Sequence, residues 1–207
     1  GPDRGVPDVR VADVRVSDLG RPDHRSPDAP KVVLLSNGVC SSTTMGPMAS
    51  GAGEDGHLAA SRLTPKHYPF TVTQVRYALL PGSSLKCHTG MAHRVDIYAA
   101  GGVAPAAFPI VLRSISVNAQ ANGSTIRVIT LDVTPPLVLT QGQQLFVAVE
   151  MRIDANSNRT CLRSCFPPSG ALPGRDYWSN AASAPYPWKS LKDSGIPAVY
   201  STQALGY

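Results

Sequence analysis

Long apolar runs, glutamates and aromatic side chains are all scarce in this 207-residue chain, and each scarcity excludes something. No apolar stretch reaches the roughly 18 to 20 residues of a membrane-spanning helix. The longest, Ala99 to Leu112, is broken by Gly101, Gly102, Pro105 and Pro109. Charged residues make up 16% of the chain, against about 25% in ordinary globular domains, which argues against a charge-laced helical bundle. Glu54 and Glu150 are the only glutamates, and the G-x-S-x-G, H-E-x-x-H and G-x-x-x-x-G-K signatures are missing. No acid, base and nucleophile set converges in the sequence, so an enzyme is not expected. A glycosidase carboxylate pair drawn from dispersed aspartates is marked by no spacing either. What the chain has in abundance is 19 Pro and 18 Gly. Both break helix interiors, and their density predicts many short strands joined by turns.

The net charge of +5 is unevenly divided. Residues 1–31 carry six Asp and six Arg or Lys and cancel, which leaves 13 basic and 8 acidic residues on 32–207. That excess is of the sign that attracts anionic polysaccharide or lipid headgroups. The basic residues are scattered, with no run of Lys and Arg interleaved with aromatics, so nucleic acid is not an expected partner.

Aspartates stand at positions 3, 8, 13, 18, 23 and 28, a strict five-residue period, and Pro precedes four of them, at Pro2, Pro7, Pro22 and Pro27. Five is neither the helical nor the strand period, and proline removes ladder donors, so residues 1–31 are expected to be an extended arm, with a semi-rigid spacer as the plain reading. The middle pentads differ. Val9-Arg10-Val11 and Val14-Arg15-Val16 alternate apolar and cationic residues where Pro gives way to Ala12 and Ser17. This stretch has strand character, and Val9, Val11, Val14 and Val16 are the candidate docking residues for a neighbour's open sheet edge, with docking in cis as the alternative.

Recurrent Pro-Asp pentads of this kind resemble the tether that follows the lipidated cysteine in exported lipoproteins of some Gram-negative bacteria, notably myxobacteria. The resemblance covers residues 1–31. It implies an extracellular or cell-surface location and an acylated cysteine immediately before Gly1 in the precursor.

From residue 32 onward strand-like runs recur: Val32 to Leu35, Phe70 to Leu80, Arg94 to Ala99, Ile110 to Val117, Thr125 to Val133, Leu137 to Leu139 and Leu145 to Ile153. Two alternate: Val72, Gln74 and Arg76 against Thr71, Thr73, Val75 and Tyr77, and Phe146, Ala148 and Glu150 against Val147, Val149 and Met151. Alternation marks antiparallel strands with one buried face, so Glu150 is expected to face solvent. Shorter runs at Tyr177 to Ser179, Trp188 to Leu191 and Val199 to Ala204 bring the expectation to eight to ten strands, an antiparallel jelly-roll-like β-sandwich over 32–207. Ser36 to Ser61 has neither period and reads as one long loop or a pair of loops.

The runs Gly174-Arg-Asp-Tyr-Trp-Ser-Asn-Ala, Pro187-Trp-Lys-Ser-Leu and Gly195-Ile-Pro-Ala-Val-Tyr-Ser-Thr-Gln-Ala, with the upstream Gly142-Gln-Gln-Leu-Phe-Val-Ala-Val, resemble the closing strands of accessory jelly-roll domains in secreted bacterial proteins. Such domains serve in adhesion, carbohydrate binding or stabilisation, so the resemblance implies the fold more than a function.

Four cysteines, Cys40, Cys87, Cys161 and Cys165, make two disulfides in an exported chain, with three pairings open. The favoured pairing closes a small ring between Cys161 and Cys165 and staples the irregular segment through Cys40 and Cys87. Cys87, His88 and His93 form only a loose zinc set, so neither metal nor cofactor is expected. Asp154, Asn156 and Asn158 have the opening spacing of a calcium loop, but Arg159 and Cys165 stand where Gly and Glu are required, and a polar turn is the better account. Asn122-Gly-Ser124 and Asn158-Arg-Thr160 are sequons that matter only in a glycosylating host. His67, His88 and His93 read as surface or loop residues. The last candidate is an aromatic group: Tyr177, Trp178, Tyr186 and Trp188 lie within twelve residues. Such rings stack on sugars when exposed and fill the core when not.

Two functions are therefore expected from this sequence. The first is a non-enzymatic, self-assembling surface subunit, a homo-oligomer or polymer built through the arm. The second is a tethered carbohydrate-binding or adhesion module with polysaccharide as partner.

Overall fold

The computed structural model describes residues 31–36, 45–101, 111–167 and 173–207. Cys40 and the arm residues Val9, Val11, Val14 and Val16 lie outside them. The described part is all β: thirteen strands in two antiparallel sheets that pack face to face as a sandwich. In chain order they are β1 (Val33–Ser36), β2 (Met45–Ala49), β3 (His57–Leu63), β4 (Phe70–Leu79), β5 (His93–Ala100), β6 (Arg113–Val117), β7 (Arg127–Leu139), β8 (Gln144–Met151), β9 (Cys161–Cys165), β10 (Asp176–Trp178), β11 (Lys189–Ser190), β12 (Val199–Tyr200) and β13 (Gln203–Gly206).

One sheet has six strands in the order β11-β10-β3-β8-β5-β6. The other has seven: β1-β13-β4-β9-β12 in sequence, with β2 on the flank of β9 and β7 on the flank of β4. Between them lies the main core, including Ala59, Leu63, Val72, Val75, Leu79, Val95, Ile97, Leu145, Val147, Val149, Leu162 and Tyr200. Each fully buried aliphatic side chain there contributes roughly 1.5 to 3 kcal/mol relative to exposure.

Four local departures from the sequence reading have physical causes. First, the stretch read as loop holds all of β2, which pairs with β9, and most of β3, an inner strand between β10 and β8. Leu58, Ala59, Ala60 and Ser61 are all buried, so both faces are apolar or small and no period-two signal exists. Second, β4 does not keep one phase. Opposite Leu205 and Gly206 its register skips Thr73, a bulge that places Phe70, Val72, Val75, Tyr77 and Leu79 all in the core. Gly206 is required beside this bulge, because a Cβ there would lie 2.0 Å from the Thr71 carbonyl oxygen. Third, β8 is buried on both faces rather than one. Glu150 is consequently half-buried and accepts the Arg94 backbone N–H at 2.9 Å. Fourth, the runs expected at Thr125 to Val133 and Leu137 to Leu139 form one strand, β7, which starts at Arg127 and whose pairing with β4 is interrupted between Asp132 and Leu137.

The disulfide pairing is corrected as well. Cys87 is bonded to Cys161, 74 residues away, and Cys165 is also disulfide-bonded. Cys161 and Cys165 are the two ends of extended β9, roughly 13 Å apart at strand rise, too far for the small ring expected between them.

Two buried polar struts join the sheets. Tyr77 on β4 donates its hydroxyl to His93 Nε2 on β5, and His93 Nδ1 donates to the Met91 carbonyl at 2.8 Å. His93 is only 4% exposed, not the surface or loop histidine its sequence context indicates. Burial lowers the His93 pKa, with Arg127 opposing protonation too, and raises that of Tyr77, so both groups are neutral. The second strut is buried Asp176 on β10, whose Oδ1 accepts from Ser61 Oγ at 3.0 Å and from the Tyr200 backbone N–H on β12 at 3.3 Å.

Candidate functional sites on two sheet surfaces

The outward face of the six-stranded sheet carries a second apolar cluster: Leu58, Ala60, Tyr98, Phe146, Ala148 and Tyr177, with Tyr186 and Trp188 packed over them. The cluster exists because the chain returns across β3, β8 and β5 after β10. Ser179 fixes that return, accepting the Leu58 N–H at 2.9 Å and donating to the Ala181 carbonyl at 2.6 Å. The Trp188 ring meets Tyr98 edge-on at 6.5 Å and Tyr186 at 5.5 Å, and Phe146 meets Tyr177 at 6.0 Å.

Of the four aromatics singled out from the sequence, three come together here: Tyr177, Tyr186 and Trp188. Trp178 does not. Adjacent strand residues point to opposite faces, so Trp178 packs against the main core, its ring 5.6 Å from His57. Tyr177 is 3% exposed and serves as core, while Tyr186 and Trp188 are half-buried and present their outer edges to solvent. Tyr98 and Phe146, which complete the cluster, were not apparent in the sequence. They lie 31 residues or more away from the aromatic group, and only strand pairing brings them under it.

Beside the rings lies a charged network. Arg94 Nε pairs with Asp96 Oδ2 at 3.1 Å, Ser114 Oγ donates to Asp96 Oδ1 at 2.8 Å, and Arg94 Nη2 stands 3.5 Å from the Tyr186 hydroxyl. Burial pulls the Arg94 pKa down, but the Asp96 and Glu150 carboxylates outweigh it and hold Arg94 above its usual range. Further along, Arg152 Nε pairs with Asp55 at 2.9 Å. The Asp55 pKa is lowered despite partial burial because the Ile153 N–H and Arg152 donate to it. These carboxylates are committed to ion pairs and hydrogen bonds.

The seven-stranded sheet offers a different surface. Among the described residues β7 pairs only with β4, and β6 only with β5, so the two are open edges of their respective sheets there. A groove of about 450 Å³ runs between them, with Ser116, Asn118 and Gln120 on one wall and Arg127 to Leu131 on the other. Val117 and Ile129, both buried, are also in its lining. Along β7, Ile129, Val133 and Leu139 turn inward, while Val128 and Val138 are 57% and 53% exposed. Pro135 and Pro136 blunt the far half of this edge, because proline has no N–H to offer a further strand. Arg127 to Val133 remains free of proline, seven residues or about 24 Å of strand.

Asp154 makes the polar turn expected of it. Its Oδ1 accepts from the backbone N–H groups of Asn156 at 2.9 Å and Asn158 at 2.8 Å, and its Oδ2 accepts from Asn158 Nδ2 at 2.8 Å. Those bonds, the Asn158 side chain first, lower its pKa.

No protein-family model matches the chain, and no curated protein does. Among solved structures, the cysteine protease and lectin-like domains of Cwp84, a surface layer associated protein of Clostridium difficile, are similar at 12% identity with a TM-score of 0.46 over 72% of this chain. Clostridial Cwp84 after propeptide cleavage matches at 12% identity with a TM-score of 0.48 over 79% of this chain. The chain spans about a third of each, 32% and 37%. The described residues are thus a disulfide-bearing antiparallel β-sandwich with distant structural similarity to a surface-layer-associated protein.

Proposed function

We propose that the chain is a non-enzymatic, exported subunit of a cell-surface fibre or layer, and that the arm of one copy adds a strand to the β7 edge of the next. The observation that carries this reading is the open, proline-free half of β7 with the groove beside it. Residues 8–21 are the longest proline-free stretch of the pentad repeat, and Val9-Arg10-Val11 and Val14-Arg15-Val16 supply two alternating triplets within eight residues, against seven on the edge. Main-chain bonds give such an added strand its affinity, and a head-to-tail contact that does not close a ring propagates as a fibre. The Cys87–Cys161 disulfide supports export to an oxidising compartment. The ion-paired carboxylates of the outer face support a binding or structural role over a catalytic one.

The test compares the full chain with a version starting at Lys31, by negative-stain electron microscopy and light scattering at matched concentration. Ordered polymers from the full chain alone are the expected result, and Val11→Asp with Val16→Asp abolishes them while the fold is kept. Equal, monomeric behaviour of both versions overturns the proposal.

A second reading, a tethered carbohydrate-binding or adhesion module, is favoured by the half-exposed Tyr186 and Trp188 beside Arg94. Sugar-dependent quenching or shifting of tryptophan fluorescence is its signature. A blue emission indifferent to sugars removes Tyr186 and Trp188 as its ligand face.

A further inference from the structure

Three loops meet at one end of the sandwich: the β4–β5, β6–β7 and β8–β9 connections. Between them lies a polar cleft of about 570 Å³, within the size range of ligand sites. Its side chains include Ser83, Lys86, Asn122, Ser124, Asn156 and Asn158, with no aromatic ring among the lining residues. Neither the aromatic cluster nor the β7 edge contributes to it.

The cleft is held rigid from below. Cys87, in its wall, is tied to Cys161 by the disulfide. His88 N–H donates to the Arg159 carbonyl at 2.9 Å and Arg159 N–H to the Lys86 carbonyl at 2.8 Å, which zips the first loop to the third. Buried Thr89 fastens the second. Its N–H donates to Asn122 Oδ1 at 3.0 Å, and its Oγ1 accepts from the Gly123 N–H at 3.0 Å. Gly90 permits the close approach: a Cβ there would stand 2.1 Å from the Gln120 carbonyl oxygen. Lys86 and the neighbouring Ser157 both hold positive φ, 52° and 63°, conformations that non-glycine residues adopt only when their surroundings impose them.

What this scaffold presents is unspent hydrogen-bonding capacity. Among the described residues, Asn122 Nδ2, the Asn156 side-chain amide, and the Ser83 and Ser124 hydroxyls have no partner within the protein. Lys86 Nζ makes one hydrogen bond, to the Asn156 carbonyl at 3.2 Å, which leaves two of its three donors. Paired donor and acceptor groups at fixed spacing match vicinal hydroxyls, and a single ammonium among neutral amides matches one carboxylate better than a doubly charged phosphate.

We propose that this cleft is a binding site for an anionic oligosaccharide, with Lys86 on a uronate carboxylate and the asparagine and serine groups on ring hydroxyls. The site shares no residue with the aromatic cluster or the β7 edge, so it adds a ligand class to the second reading without resting on that reading's aromatic face. The test is calorimetric titration of the full chain with alginate hexasaccharide, and with maltohexaose as the neutral counterpart. Alginate is expected to bind with a salt-sensitive affinity, and Lys86→Gln weakens it by about tenfold, the worth of one charge-assisted hydrogen bond. Asn156→Ala, which removes no bond from the fold, weakens it less, and maltohexaose binds as weakly to the native chain as alginate does to Lys86→Gln. No heat at millimolar alginate, equal binding of the two sugars, or unchanged affinity in both variants overturns the assignment. Neither variant touches β7, so polymer formation measured by light scattering is unchanged by them, and the two proposals fail separately.

Discussion

The outer faces of the two sheets solve one problem in opposite ways. Across β3, β8 and β5 the chain folds back on itself and covers the sheet with Tyr186 and Trp188, so that Phe146 and Ala148 are buried on the face that points away from the main core. Across β7 nothing among the described residues returns, and Val128 and Val138 stand in solvent beside an unpaired strand edge. The first face has been completed from within the chain. The second has its backbone donors and acceptors unspent on one side among the described residues, the condition under which a strand from elsewhere is gained at little cost in competing interactions. The contrast separates internal stability from assembly, and each can be perturbed without the other.

The largest effect is expected from Phe146→Ala. If the outer cluster is a true second core, this change costs about 3 to 5 kcal/mol, read as a lowered urea midpoint. A loss below about 1 kcal/mol marks that face as ordinary surface. Replacing both Cys87 and Cys161 with Ala costs about 2 to 5 kcal/mol, because their bond closes a long loop in the unfolded chain. Under reducing conditions the native protein and this variant then converge in stability.

A smaller and pH-dependent effect is expected at the Tyr77–His93 strut. The folded pKa of His93 lies below its unfolded value of about 6.5, so the neutral form is favoured on folding. The contribution is complete above about pH 6.5 and is lost progressively as pH falls towards the folded value. Thermal unfolding from about pH 7.5 to about pH 5 is expected to show this decline in the native protein and a flatter profile in His93→Gln. Parallel profiles contradict it. The smallest effect on stability, within about 0.5 kcal/mol, is expected from Val128→Thr with Val138→Thr. That pair nevertheless weakens assembly, which separates the two faces directly; a large loss of stability erases the contrast.

Much of this architecture is readable along the chain, and the unreadable parts share a cause. Strands with one wet face announce themselves, as β7 does through Ile129, Leu131 and Val133 against Val128, Thr130 and Asp132. β3 is silent because residues buried on both sides leave no alternation. The phase of β4 is hidden because one inserted residue, Thr73, reverses it, and register with β13 exists only in three dimensions. Tyr177 and Trp178 are neighbours in sequence, and it is that adjacency which sends them to opposite faces. The Cys87–Cys161 bond and the loop-end cleft depend on segments far apart in the chain, and no local spacing encodes either.

The place of β13 has a further consequence, for the order in which the protein can be made. Among the described residues β1, near the beginning of the body, pairs with β13 and with no other strand, and β13 also flanks β4. A strand encoded early therefore waits unpaired while some 170 residues emerge, and contacts of such separation form slowly. The seven-stranded sheet cannot be finished during synthesis of its first strands.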